Sequence, residues 1–496
     1  NTTDEGGAGS NWIFENVELT DDQVLDKFCS IDNTYKTTEN GTYIQLRSEA
    51  SGGVITENTS SHILTIESKD DSNFAQYWKL IAVDSKAGYY QLQNVLTGRY
   101  INYTSFNTQH YTQEGEAKSG NNAGFYFEYV DDTRFIPRYG IHPANDMEHA
   151  LHWSSGRLLT WKAYTHATGI TGSVWTLLKT NITEAQVAEA QQKYQNNNTE
   201  KANADTYYAA FKSFFTDAAC TELADAYKGM TDNELTAALT AAGVASTTLQ
   251  GIALKVKNNS WDKWEKIFRT REVAPYSSPE TWQGILKFGY YYTHLSNPTG
   301  IWGATNNLMY IFVGNDIPDG ASVRVRMVSA TDSQGEDLGA LKKGLNIINP
   351  TKSAALYLDY TVPTDGSASS KKLADFPNLA IHIEGGEVDG YFDATRKGID
   401  TDDEWKEMVN DGLFSKPFVM MKGRRIIYQL NASLTKQYIP EKMREIVDFW
   451  DWMVDVEHSL MGIEEYKDRW NNVLGFYSCT YNYMFASSYG TYYNEN

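Results

Sequence analysis

Five side chains, Asn94, Tyr100, Asn102, Trp153 and Trp161, have the types and the turn-proximal placing that would hold a sugar. A sugar ring needs an apolar face to stack on and planar amides or carboxylates to meet its hydroxyls, and this set offers both. The histidines offer less. His149-Ala-Leu-His152 puts two imidazoles three residues apart, in a Gly/Pro/Asn-rich stretch without a third ligand at an obvious spacing, and reads as surface or packing. His382 alternates on a strand in Ile381-His-Ile383, and His458 lies on a helix without a second His four residues on. Both read as structural. No His-Glu-x-x-His occurs in the 496 residues, so no catalytic or metal-binding residue can be assigned within the chain.

Composition narrows the partners. The 63 acidic and 43 basic residues give a formal charge of -20, which repels nucleic-acid phosphates and anionic membrane surfaces. With 41% hydrophobic and 21% charged residues the chain is neither disordered nor membrane-embedded, and it has no apolar run long enough for a transmembrane helix. Cys29, Cys220 and Cys479 lie far apart without a Cys-x-x-Cys spacing, and read as buried free thiols. The polar, glycine-rich residues 1–10 read as a flexible leader of the kind that follows a removed export signal. A chain of this length divides into roughly three or four domains.

The elements that carry the sugar candidates repeat. Gln76-Tyr-Trp-Lys-Leu-Ile81, Phe125-Tyr-Phe-Glu-Tyr-Val130 and Ser173-Val-Trp-Thr-Leu-Leu178 are aromatic-centred strands whose Trp78, Phe127 and Trp175 fall 49 and 48 residues apart. Each is preceded by another strand, at Tyr43-Ile-Gln-Leu46, Tyr90-Gln-Leu-Gln93 and Phe135-Ile-Pro-Arg138, with further short strands such as Leu158-Leu-Thr-Trp161 between Gly, Asn and Ser turns. Three such units resemble a β-trefoil, and Gln76-Tyr77-Trp78 is similar to the Gln-x-Trp signature of ricin-type lectin domains. Phe125 and Ser173 stand where the other two copies would carry Gln. The resemblance implies that Trp78, Phe127 and Trp175 form the internal core and leave sugar to the turn-proximal set.

From Thr183 the pattern turns helical. Thr183-Glu-Ala-Gln186 and Thr231-Asp-Asn-Glu234 are capping boxes, Gly243 ends the second helix, and Ser260 is expected to cap a helix carrying Trp261, Trp264, Ile267 and Phe268. The polar run 191–198 marks a flexible or solvent-facing interval. After Pro275 strands return at Leu308-Met-Tyr-Ile-Phe-Val313, Val323-Arg-Val-Arg-Met327, Leu356-Tyr-Leu-Asp-Tyr360 and Leu379-Ala-Ile-His-Ile383, the pattern of a β-sandwich.

Within that stretch Asn297-Pro-Thr-Gly-Ile301, Tyr310-Ile-Phe-Val-Gly314, Leu341-Lys-Lys-Gly-Leu-Asn346 and Ile381-His-Ile-Glu-Gly-Gly386 follow one another in the order found in enhancin-like, mucin-targeting zinc metallopeptidases, peptidase family M-sixty. Thr401-Asp-Asp-Glu-Trp405, Lys416-Pro-Phe418, Gly423-Arg-Arg-Ile-Ile-Tyr428, a helix from Pro440 carrying Phe449-Trp450-Asp451, and Tyr483-Met-Phe-Ala486 extend the resemblance over residues 275–496. With the leader, the repeat, the capped helices and the strands read above, the chain divides into a leader over 1–30, an all-β trefoil over 31–181, a small helical connector over 182–274 and a β-sandwich over 275–395, and the resemblance implies the start of an α-rich peptidase domain over 396–496. It also implies the front portion of a secreted or cell-surface, lipid-anchored zinc metallopeptidase acting on glycoproteins such as mucins. In such an enzyme zinc is held by His-Glu-x-x-His and a downstream Glu, and none of those positions exists in this chain. The alternative is a non-catalytic carbohydrate-binding or adhesion protein that keeps the scaffold alone.

Overall fold

The computed structural model describes residues 43–83, 89–102, 106–115, 124–131, 133–139, 149–162, 171–287, 289, 292–329, 335–479, 485–487 and 490–494. The leader, Cys29 and Tyr483 lie outside them. The chain forms two compact units, residues 1–194 and 195–496, and is a β-rich, multidomain protein with several sheets.

In the first unit twelve strands join in one antiparallel sheet system, and the opening strand Tyr43–Ser48 pairs with the closing strand Trp175–Lys179, Ile44 opposite Lys179 and Ser48 opposite Trp175. The three repeat aromatics are fully buried together with Ile44, Leu46, Leu92 and Leu151. Two of them bury an indole N–H, which must find an acceptor. Trp78 Nε1 donates to the Ile55 carbonyl at 3.2 Å, and Trp175 Nε1 donates to the Leu151 carbonyl at 3.0 Å. Phe127, with no N–H, instead meets Phe135 edge-on at 6.4 Å. Gln76 is part of the same scaffold: its buried amide donates to the Ser68 carbonyl at 3.0 Å and accepts from the Asp70 N–H at 2.8 Å. A two-ended amide is what that loop requires, and Ser173 in the third copy serves another contact, to His152 Nδ1 at 2.8 Å.

The capping box at Thr183 forms, with Gln186 N–H donating to the Thr183 hydroxyl at 3.2 Å and Thr183 N–H to the Gln186 side chain at 2.8 Å. The polar run 191–198 is not a loose interval but continuous helix within Glu184–Ala202. It contains no Gly or Pro, and Gln and Lys cost a helix little.

In the second unit strand Met309–Val313 is buried on both faces. Met309, Ile311 and Val313 enter one cluster with Val325, Leu356 and Ile381, whereas Tyr310 and Phe312 enter another with Phe211, Leu235 and Leu249 of the helices Ala204–Phe211, Asp232–Ala241 and Thr247–Asn258. A run without polar alternation is what burial on both faces demands. This strand belongs to a four-stranded sheet ordered Thr270–Val273, Leu379–Glu384, Met309–Val313, Gly344–Ile348. A second sheet runs Glu336–Ala340, Ser322–Val328, Ala354–Val362, Pro298–Gly303, Glu387–Val388, with Tyr276–Ser277 added in parallel.

One helix cap differs from expectation. Asp262, not Ser260, caps helix Lys263–Arg269, accepting from the Glu265 N–H at 2.7 Å, while the Ser260 N–H closes the preceding helix on the Lys255 carbonyl at 3.1 Å. Asp is as good an N-cap as Ser, and here its Glu265 partner completes the capping box. The stretch after 396 is also less helical than expected. It holds a mixed sheet ordered Phe392–Asp393, Phe418–Lys422, Ile426–Asn431, Leu474–Cys479, Gly490–Asn494, Phe485–Ser487, beside helices Asp402–Asn410, Ala432–Tyr438 and Met443–Leu460. Phe418-Val-Met-Met-Lys422 is buried throughout, and such a short apolar run has no period that separates strand from helix.

Candidate functional site

The five sugar candidates of the first unit separate by burial. Asn94 is fully buried, its amide donating to the Ala75 carbonyl at 2.9 Å and accepting from the Leu96 and Thr97 N–H groups at 3.0 and 3.2 Å. It ties the turn that follows its own strand. Tyr100 is buried on the short strand Tyr100–Ile101, and Trp153 is half-buried against the core cluster. Asn102 donates to the Tyr111 hydroxyl at 2.6 Å, on the surface. Trp161 is 36% exposed and stacks on Phe106, itself 46% exposed, at 4.7 Å and 29°.

A ring patch results. His149 lies 5.8 Å from Phe106, and His152 stacks on Trp161 at 5.9 Å. Phe106 and Tyr111 were not among the sequence candidates. They arrive through bridges of Phe106 to Thr160 and Gln109 to Leu159, which lay segment 106–111 along the strand that carries Trp161. The one local signal was an aromatic residue between Ser105 and Asn107, where no hydrophobic run required it.

Fully buried His110 clasps the patch from beneath. Its Nδ1 lies 3.0 Å from the Asn102 carbonyl and its Nε2 3.1 Å from the Thr160 hydroxyl; burial lowers its pKa to about 4, so at neutral pH the ring is uncharged, donating from Nδ1 and accepting at Nε2. Burial also lowers that of His152, favouring the uncharged ring where it stacks on Trp161. At the rim Arg157 donates to the Asn107 carbonyl at 3.3 Å and to its side chain at 3.2 Å. Exposed rings edged by amides and a guanidinium have the composition that stacking on a sugar needs.

The motifs of the second unit are scaffold around a groove. Buried Asp451 accepts from the Arg424 N–H at 2.7 Å and the Arg425 N–H at 2.8 Å. A Cβ on Gly423 would stand 2.5 Å from its carboxylate. Gly423-Arg-Arg and Phe449-Trp-Asp are therefore two halves of one hairpin clamp, and Asp455 adds a contact to Arg425 at 2.8 Å. In Ile381-His-Ile-Glu-Gly-Gly386, Glu384 accepts from Trp261 Nε1 at 2.8 Å, and Arg269 holds the Gly385 carbonyl at 3.0 Å. Burial opposes ionisation of Glu384, but His382, Arg269 and Lys255 outweigh it and hold the carboxyl at about 2. Gly385 has φ +86°, and a Cβ there would lie 2.5 Å from the Leu308 carbonyl oxygen.

Beside the clamp a groove of about 350 Å³ is lined by Tyr428, Leu430, Tyr438, Ile446, Trp450 and Tyr493. A second recess of about 630 Å³ shares Tyr438, Ile446 and Trp450 and adds Glu441, Glu445 and Phe449.

The two histidines singled out in this unit are held by packing and backbone. His382 is fully buried with Nδ1 on the Ala219 carbonyl at 3.0 Å, and His458, lowered to about 4 by burial, packs edge-on to Trp470 at 4.8 Å. Among the described residues no three His, Cys, Asp or Glu side chains converge as metal ligands, so these residues do not fit a catalytic zinc.

No family model matches the chain. No curated protein matches it either. Among solved structures the chain is similar to a metallopeptidase from Bacteroides thetaiotaomicron, with 25% identity over 58% of this chain and a TM-score of 0.50. A metallopeptidase solved in complex with Tn antigen is similar at 27% identity over 47% of this chain, with a TM-score of 0.42, too little structural overlap to bear on function. The chain spans 46% of the first protein's length and 43% of the second's.

Proposed function

We propose that the chain is the front portion of a secreted or cell-surface zinc metallopeptidase that acts on glycoproteins such as mucins. The observation that carries this reading is the likeness to the Bacteroides thetaiotaomicron metallopeptidase, and the motif order over 275–496 supports it. In this reading residues 31–181 are a β-trefoil that targets glycan through the ring patch, with Asn102 and Trp161 joined by Phe106 and Tyr111. Residues 182–274 connect it to a β-sandwich over 275–395, and the groove beside Trp450 forms one wall of the substrate cleft in the peptidase domain that begins at 396. The zinc belongs to the whole enzyme, on a His-Glu-x-x-His helix outside these residues.

The second reading is a carbohydrate-binding or adhesion protein without catalysis. The ring patch favours it, since that surface lies wholly within the first unit. The encoded sequence beyond Asn496 separates the two. A His-Glu-x-x-His within about fifty residues, the reach of a short loop and a helix, is expected of the peptidase. A stop codon there would sink that reading and leave the binder. On either reading the chain by itself is expected to bind mucin without zinc-dependent hydrolysis, checked by electrophoresis of a mucin substrate with and without chelator.

A further inference from the structure

A second cluster in the larger unit belongs to none of these motifs. Arg271 on strand Thr270–Val273, Arg396 in the turn after Phe392–Asp393, and Lys422 at the end of Phe418–Lys422 converge on Tyr391 and Asp393. Tyr391 is fully buried, Asp393 is 2% exposed and Lys422 6%. Arg271 Nη2 donates to the Tyr391 hydroxyl at 2.6 Å, Arg396 Nη1 reaches the same oxygen at 3.5 Å, and that hydroxyl donates to Asp393 Oδ2 at 3.3 Å. Lys422 Nζ is 3.9 Å from Asp393 Oδ2 and 5.3 Å from the centre of the Tyr276 ring.

Lys422 thus faces the Asp393 carboxylate, whereas Arg271 and Arg396 share the Tyr391 hydroxyl, and Arg396 also donates to the Ile267 carbonyl. Asp393 is already engaged at its other oxygen by the Thr395 N–H and hydroxyl, at 2.9 and 2.6 Å. Acids of the flanking segments serve other partners: Glu272 takes Asn378 at 3.1 Å, Asp389 takes Ser415 at 2.9 Å, and Asp402 takes the Arg444 N–H at 2.7 Å. Nε and Nη1 of Arg271 are buried and find no acceptor among the described residues. Arg271 and Arg396 as residues are only half-buried, but a buried donor costs free energy unless it is paired, and Arg271 has two such donors.

We propose that this cluster binds a small monovalent inorganic anion of the size of chloride, held by Arg271 with Arg396 and Lys422 around it. The ligand is inorganic and small because Nε and Nη1 of Arg271 are buried and the guanidinium lies over the Tyr391 ring, 5.3 Å from its centre. It balances charge where strand Thr270–Val273 meets the parallel pair Phe392–Asp393 and Phe418–Lys422, and so acts on folding stability rather than on substrate.

The test uses the full chain. Folding stability is measured by denaturant titration at constant ionic strength while gluconate is exchanged for chloride. An anion bound only by the folded protein raises the folding constant about tenfold for each tenfold rise in chloride above its dissociation constant. Arg271→Leu removes that dependence. Crystals of the unaltered chain in bromide provide a measurement that does not rely on the variant folding: an anomalous peak at hydrogen-bonding distance from Arg271 is expected. The same stability in both salts, or no bromide peak at Arg271, overturns the proposal.

Discussion

The two units each present aromatic rings to solvent, and the two surfaces are built differently. In the first, Trp161 and Phe106 are edged by Asn102, Tyr111, Asn107 and Arg157, and the buried His110 fixes the backbone beneath them. In the second, helix Met443–Leu460 exposes Phe449, Trp452, Val456 and Leu460, at steps of three and four residues down one face, with Leu460 85% exposed. The first surface alternates apolar faces with hydrogen-bonding edges, as a polyhydroxylated ligand requires. The second is a continuous apolar stripe, of the kind that a further surface covers. Aromatic abundance alone, which both share, therefore says little about ligand. The polar atoms between the rings carry the distinction.

The comparison is sharpened first by separating rings that hold the fold from rings that face out. Trp78→Ala removes a fully buried indole and its bond to the Ile55 carbonyl, and is expected to cost about 3–5 kcal/mol in denaturant unfolding of the first unit. Trp161→Ala is expected to cost less than about 1 kcal/mol. Equal costs would break the division between core and platform.

The next effect lies on one helix. Asp451→Ala leaves the Arg424 and Arg425 N–H groups without their carboxylate and is expected to destabilise the second unit by about 2–4 kcal/mol. Its neighbour Trp452→Ala, on the exposed stripe, is expected to stay within about 0.5 kcal/mol. Urea titration of the two variants side by side checks both.

A smaller effect is set by pH. His294 lies between Asp359, 2.9 Å from Nδ1, and Glu280, 2.6 Å from Nε2. Burial alone would lower its pKa, but the two carboxylates outweigh burial and raise it to about 9. The bond from His294 in turn holds Glu280 at about 2. Because the folded pKa of His294 lies above its unfolded value, its contribution is complete below about pH 6.5 and is lost as pH rises through 9. The melting temperature of the second unit is expected to fall across that window, and His294→Gln to flatten the fall. A slope that survives in the variant would contradict the assignment.

What could be read along the chain was what depends on local order. The spacing of Trp78, Phe127 and Trp175 announced three equivalent buried positions, and Thr231-Asp-Asn-Glu234 announced a capping box that forms, with the Glu234 N–H 3.3 Å from the Thr231 hydroxyl. What escaped depends on distant pairing. Phe106 joins the ring patch only because residue 160 bridges to it. Asn94 has the chemistry of a sugar ligand, but its amide turns inward to the Ala75 carbonyl, a direction that sequence does not encode locally. The sheet after 396 is completed by parallel pairing of Ile426–Asn431 with Leu474–Cys479, across an intervening pair of helices. The motif order over 275–496 was legible, whereas its physical meaning, a carboxylate at 451 clamping the turn at 423–425, appears only in three dimensions.

The most direct test of the account is binding of the full chain to an immobilised O-glycosylated mucin, measured before and after enzymatic removal of the glycans. Saturable binding that disappears with the glycans is expected. Trp161→Ala is expected to weaken it about tenfold, a loss of about 1.4 kcal/mol, while Trp452→Ala leaves it unchanged. Binding that persists on the deglycosylated mucin, or that Trp161→Ala leaves intact, would contradict a glycan-targeting role for the first unit.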